Sequence, residues 1–205
     1  MADSPQIEFF YDVVSPYTYL ASTRIEALAE RLGATLRWRP FLLGAVFKAT
    51  GNAPPAQVPA RGRYLLEDLE RWARYYGIPF SFPGSFPARS ITAQRALVAA
   101  ARLGTEADAT RLAKAIFHEH WGEGRPIDAP ERISSLATGI GLDGAAILQA
   151  CGEPEIKEAL RVATEEAVSR GAFGSPTFFA GERMFFGNDR LELLEHALEG
   201  EGVGG

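Results

Sequence analysis

Strand-type patterning is confined to the two ends of this chain, with a long helical block between them, and no arrangement of the chain can ignore that separation. Near the start, IEFFYDVV carries Ile7, Phe9, Tyr11 and Val13 on one face and Phe10 and Val14 on the other, the pattern of a strand buried on both sides. Asp12 is its polar exception. From Pro16 the spacing becomes helical, with Tyr17, Leu20, Ile25, Leu28 and Leu32 on one side and Gly33 as the stop. ATLRWRPFL then alternates again, Leu36 and Trp38 against Arg37 and Arg39, as a strand with one wetter face. Together these segments make a βαβ unit.

Between Leu42 and Val58 the Gly-, Ala- and Pro-rich composition predicts a loop, and from Gly62 to Arg170 the strong periodic signals are helical. Leu65, Leu66, Leu69, Trp72, Ala73 and Tyr76 line one face of a helix that closes at Gly77. Further helices are expected over Thr92–Leu103, Glu106–Trp121, Pro130–Thr138, Asp143–Cys151 and Glu155–Ser169. The strand pattern returns in PTFFAGERMFFG, a hairpin signature, and NDRLELLEHAL follows as a helix for which Asn188 or Asp189 could be the cap. Strand-helix-strand, a helical block, then hairpin-helix is the order of an α/β thioredoxin-like fold with a large all-helical insertion. Residues 1–44 and 171–205 would form the thioredoxin-like part and 45–170 the insertion.

Composition narrows the function. With 46% hydrophobic residues in 205, the chain can bury a substantial core. A net charge of −5 and no run of basic residues argue against a nucleic-acid partner. MADSPQIEFF lacks the basic and apolar regions of a signal peptide, and no segment approaches the roughly 18 apolar residues needed to span a bilayer, so the expected location is the cytoplasm. Cys151 is the only cysteine, which excludes an intramolecular disulfide and a dithiol cycle within one chain. Its setting, ILQACGEP, predicts a buried, inert thiol at a helix end.

Four segments in order carry a specific resemblance: FYDVVSPYTYLA at 10–21, FKATGNAPP at 47–55, VPARGRYLLEDLERWARYYGIPF at 58–80 and GAFGSPTFFAGERMFFGNDRLELL at 171–194. The chain resembles the DsbA-like branch of the thioredoxin superfamily that holds the 2-hydroxychromene-2-carboxylate isomerases and kappa-class glutathione transferases. Disulfide-exchanging relatives carry Cys-x-x-Cys where this chain reads Ser15-Pro16-Tyr17-Thr18.

The resemblance implies that glutathione brings the missing sulfur and that Ser15 holds it as the thiolate. A helix N-terminus offers free backbone N–H groups and partial positive charge, worth ~0.3–1 kcal/mol to an exposed anion and up to ~2 when partly buried. Read alone, Ser15 is an N-cap before a proline at the first helical position. By the same resemblance the backbone of Ser175, before Pro176, pairs with the cysteinyl part of glutathione. Pro176 stands where thioredoxin-type folds usually carry a cis proline, an isomer the sequence leaves open. Phe186, Gly187, Asn188 and Asp189 would receive the γ-glutamyl end, and Arg61, where relatives often carry Lys, the glycyl carboxylate.

Lys48 and Asn52 correspond to positions that contact the substrate. The implied activity interconverts 2-hydroxychromene-2-carboxylate and trans-o-hydroxybenzylidenepyruvate in naphthalene-type aromatic catabolism. Two other readings stay open, a kappa-class-like transferase or peroxidase and a glutathione-binding module without turnover. A homodimer is compatible with the resemblance, and no segment marks an interface. His118 and His120 point in different directions on a predicted helix and His196 lies in another, so no metal site is expected. Glu165-Glu166 reads as a solvated face, and GAFGSP lacks the spacing of a dinucleotide fingerprint.

Overall fold

A computed structural model describes residues 4–84 and 86–199. The four-stranded sheet among these residues has the order β2-β1-β3-β4, with β1 (Gln6–Tyr11) parallel to β2 (Thr35–Pro40) and antiparallel to β3 (Thr177–Ala180), which pairs with β4 (Arg183–Phe186) as a hairpin. The two ends of the chain thus meet at β1 and β3, in register through Phe9 and Phe178. This is the α/β thioredoxin-like arrangement, completed across the helical block.

Both faces of β1 are buried, as its composition required. On one, Phe9 stacks on Phe178 at 5.1 Å and meets Trp38 edge-on at 4.9 Å, within the main core. On the other, Phe10 packs with Phe41, Val46, Ala167 and Phe179. The helices are α1 (Pro16–Ser22), α2 (Ile25–Arg31), α3 (Leu43–Thr50), α4 (Pro59–Tyr76), α5 (Ile91–Leu103), α6 (Glu106–Phe117), α7 (Pro130–Gly139), α8 (Gly144–Ala150), α9 (Pro154–Ser169) and α10 (Leu191–Glu199).

Three sequence expectations need revision. The helix from Pro16 to Leu32 is two helices, because the hydroxyls of Ser22 and Thr23 donate to the carbonyls of Tyr19 and Leu20 and compete for the last turn of α1. The loop from Leu42 to Val58 contains α3, too short to show a period among its small residues; it buries Val46 and stops at Gly51, whose φ of 71° a side chain would resist. The helix expected to run to Trp121 leaves α geometry at Phe117 and continues as a π-type turn, His118–Gly122.

The helical block is anchored to the sheet by Gln94, a fully buried amide on α5. Its Nε2 donates to the carbonyls of Tyr11 and Phe41, both at 2.8 Å, and its Oε1 accepts from the Val13 N–H at 3.4 Å. The indole N–H of Trp121 donates to the Val13 carbonyl at 2.8 Å. The ends of β1 and β2 would otherwise bury unpaired backbone groups. Gln94→Ala is expected to lower unfolding free energy by about 3 kcal/mol, read by urea denaturation, since truncation takes the side-chain partner from the buried Val13 N–H and Phe41 carbonyl, while the Tyr11 carbonyl keeps the Phe41 N–H.

Candidate active site

The turn after β1 is built around Asp12. Its Oδ1 accepts from the Val14 N–H at 3.2 Å, and the Ser15 N–H donates to its main-chain carbonyl at 3.1 Å, which brings Ser15 to the start of α1. Ser15 has the non-helical backbone of an N-cap, φ −91° and ψ 118°, and its Oγ accepts from the Thr18 N–H at 3.4 Å. Pro16 follows at the first helical position, where a missing N–H costs nothing. The same hydroxyl donates to the Ser175 carbonyl at 2.9 Å. Ser15 is therefore a cap and also a tie across 160 residues of sequence.

The Ser175-Pro176 peptide is cis. Ser175 Oγ accepts from the Asp12 N–H at 3.1 Å and lies 2.7 Å from Thr18 Oγ1. The carboxylate of Asp12, fully buried, accepts from the Leu43 N–H and the Ser90 hydroxyl, each at 2.9 Å. Burial pushes its carboxyl up to about 6, with the N–H groups of Leu43 and Val14 and the Ser90 hydroxyl pulling the other way.

Beside this node opens a cavity of about 790 Å³, within the range of small-molecule sites. Six stretches of chain converge on it: the first turn of α1, the start of α3, the segment before α4 with one face of α4, the approach to α5, the loop before β3, and the end of β4 with the turn after it. Ser15, Arg61, Ser175 and Pro176 line it, as do Phe186, Gly187, Asn188 and Asp189. Asn52 lines it too, with its Nδ2 donating to the Phe173 carbonyl at 2.8 Å. Lys48 lies elsewhere: it is exposed on α3, and Phe47 is the wall residue beside it.

Around the distal end, Gly187 takes a φ of 106° and donates its N–H to the Pro176 carbonyl at 3.0 Å, fixing the turn that presents Asn188 and Asp189. Residues 188–190 form a short 3₁₀ turn before α10. Asp189 is paired with Arg190 at 2.5 Å. Asn188 is buried near the Tyr76 hydroxyl, and its Nδ2 makes no hydrogen bond of normal length.

Sequence reasoning missed Tyr17, Asp68, Trp72, Arg89 and Arg190, all on the wall. A signal was present in α4: Arg61, Leu65, Asp68 and Trp72 recur at spacings that put them on one face, but Leu65 and Trp72 entered only as an apolar face and Arg61 only by resemblance, so Asp68 between them went unread. Tyr17 donates its hydroxyl to Asp68 Oδ2 at 2.8 Å, and burial, with the Asp68 carboxylate second, pushes the phenol well above its ordinary value.

Several titratable groups away from the cavity are engaged in the packing of the fold. Glu166 joins Arg39, Arg170 and Glu8 in an ionic cluster, while Glu165 pairs with Arg161. His120 is buried against Trp121 with Nδ1 2.9 Å from the Arg125 carbonyl. Among the described residues no three His, Cys, Asp or Glu side chains are grouped to hold a metal ion. Cys151 is buried, its thiol donating to the Ile147 carbonyl at 3.3 Å and pushed up by burial.

Comparison with known proteins agrees with this fold. The family described as DSBA-like thioredoxin domain matches residues 6–199. The 2-hydroxychromene-2-carboxylate isomerase of Pseudomonas putida is 34% identical over 194 residues, 94% of this chain and 93% of that protein. Glutathione S-transferase kappa 1 of Homo sapiens is 30% identical, covering 94% of this chain and 90% of its own. A solved 2-hydroxychromene-2-carboxylate isomerase superposes with a TM-score of 0.84 at 33% identity, over 96% of each chain.

Asp12 gives the node a pH signature. A carboxyl raised from 3.8 to about 6 by folding favours the folded state most when protonated, so its contribution is present below about pH 4 and is lost as pH rises through 6. Two units correspond to about 3 kcal/mol. The unfolding free energy of wild type minus that of Asp12→Asn should therefore fall by up to about 3 kcal/mol between pH 4 and pH 7, measured by urea titrations at each pH.

Proposed function

This chain belongs to the 2-hydroxychromene-2-carboxylate isomerase family of DSBA-like thioredoxin domains, and from that premise we propose that it is a glutathione-dependent isomerase. Its reaction would interconvert 2-hydroxychromene-2-carboxylate and trans-o-hydroxybenzylidenepyruvate. The observation that carries the reading is the position of Ser15: a hydroxyl at the first turn of α1, on the wall of a large cavity and against the cis-Pro176 loop, in a chain without a second cysteine.

The residues present suit glutathione. A tripeptide with two carboxylates, one ammonium and one thiol needs cations at separate points, and the wall offers Arg61 and Arg190, with Asp189 for the ammonium. The buried amide nitrogen of Asn188 is a donor in want of a partner on the same wall. When bound, glutathione supplies a thiolate that can add reversibly to a conjugated carbon-carbon double bond and so permit rotation about it.

The chain's own part follows from its groups. Ser15 would turn its hydroxyl from the Ser175 carbonyl to the sulfur and, with the first turn of α1, favour the ionised form. Ser175 would offer its backbone to the cysteinyl part, while the turn at Phe186 and Gly187 presents Asn188 and Asp189 to the γ-glutamyl end. Asn52 on the wall can donate to and accept from the substrate, and Lys48 would reach the cavity mouth by its flexible stem. Leu42, Phe47, Phe86 and Trp72 provide apolar surface for an aromatic ring.

The same proposal places the enzyme in the cytoplasm; among the described residues no helix is long and apolar enough to cross a membrane. It also divides the chain at the boundaries read from the sequence, 1–44 with 171–205 and 45–170. Identity to a kappa-class transferase supports a second reading, conjugation or peroxide reduction by the same thiolate. Conjugation consumes glutathione and isomerisation returns it.

An absorbance assay of the chromene carboxylate with catalytic glutathione tests the proposal. Turnover should require glutathione without consuming it, and Ser15→Ala should cut it about 10- to 100-fold, the worth of one hydrogen bond to a charged group. Glutathione-independent turnover, or stoichiometric loss of the thiol, would sink it.

A further inference from the structure

Opening the chromene ring moves a proton from the hydroxyl on carbon 2 to the ring oxygen, and a thiolate cannot do both halves of that transfer. The titratable side chains on the cavity wall are Tyr17, Arg61, Asp68, Arg89, Asp189 and Arg190. Arginines do not give up their protons. Asp189 is engaged by Arg190. Asp68 is the wall carboxylate for which, among the described residues, no lysine or arginine makes an ion pair.

Its surroundings suit a base. Asp68 is half-buried; its Oδ2 accepts from the Tyr17 hydroxyl at 2.8 Å, and its Oδ1 has only the Tyr64 hydroxyl at 3.5 Å, which leaves that oxygen able to accept. Tyr17 stands in the same turn as Ser15, two residues on, so the pair lies beside the site for sulfur. We propose that Asp68 and Tyr17 are catalytic residues that form a proton relay for ring opening, an inference that rests on the isomerase reading above.

The relay balances. Asp68 Oδ1 takes the proton of the carbon-2 hydroxyl, whose electrons form the carbonyl as the bond from carbon 2 to the ring oxygen breaks. The electron pair of that bond goes to the ring oxygen, which takes the Tyr17 proton and becomes a phenol. Asp68 then returns its proton to Tyr17. No oxidant or reductant is involved, and both side chains end as they began. The central exchange is between two phenols, with Tyr17 the more reluctant donor of the two because burial and the Asp68 carboxylate hold its proton. Burial, the larger cause of the raised Tyr17 phenol, persists through the step, while protonation of Asp68 removes the second cause, so the donor is eased once the base has acted.

The test compares wild type with Asp68→Ala and Tyr17→Phe, following chromene carboxylate turnover, glutathione affinity by titration calorimetry and folding by circular dichroism. Asp68→Ala should lose about 10²-fold or more in kcat, keep glutathione affinity within about threefold, and regain at least about tenfold with added formate, which replaces a missing carboxylate base. Full kcat, loss without formate rescue, or loss of glutathione affinity in step with kcat would each overturn the relay while leaving the isomerase reading intact. If Asp68→Ala does not fold, Tyr17→Phe decides: a drop of about tenfold or more in kcat with unchanged affinity supports the relay, and unchanged kcat overturns it. A wild-type protein with no turnover of the chromene carboxylate would overturn the functional reading and the relay with it.

Discussion

The buried carboxylate of Asp12 is the point on which the site depends. It stands at the exit of β1, fully enclosed, and draws to itself the N–H of Leu43 at the start of α3 and the hydroxyl of Ser90 just before α5. Its own N–H reaches Ser175 in the loop before β3. One residue thereby fixes the relative positions of four segments that come from all parts of the chain. Burying a carboxyl is costly without such partners, so the geometry around it has little freedom: three donors must converge, and the backbone that carries them must follow.

Ser15 inherits its position from that node. Three residues beyond Asp12, it caps α1 with one lone pair and ties the Ser175 carbonyl with its proton. Both bonds hold the hydroxyl at the cavity wall, and neither is covalently demanding, so the proton can be redirected to an anion at the cost of one neutral hydrogen bond, about 1 kcal/mol net. A bond to a charged sulfur is worth more than the one given up. The cap and the ligand-holding role are therefore compatible uses of one oxygen, which removes the opposition between them in the sequence reading.

Most of the fold was legible because it is periodic. Two-faced burial identified β1, alternation identified β2, and the Ala-Gly-Glu-Arg interruption identified the β3–β4 hairpin. Failures came where a local competitor overrode the period: hydroxyl back-bonding split α1 from α2, and α3 was hidden in a segment of small residues. The site was legible in part. Ser15, Ser175-Pro176 and residues 186–189 lie in segments whose pattern is specific, and all line the cavity, whereas Lys48 does not. Tyr17 and Asp68 were passed over because nothing in their immediate neighbours distinguishes a wall carboxylate from a solvated one.

The amino-acid order by itself determined what is local: a sheet divided between the chain ends, a proline-started helix after a serine cap, one cysteine and hence no dithiol chemistry. Each of these follows from residues within a turn or a strand period of one another. Tertiary structure alone decided which distant groups share a surface: Tyr17 with Asp68 across 51 residues, Gln94 with Tyr11 across 83, Ser15 with Ser175 across 160. Such pairs have no period to betray them, because their distance is set by the packing of the helical block on the sheet and not by the geometry of any one element.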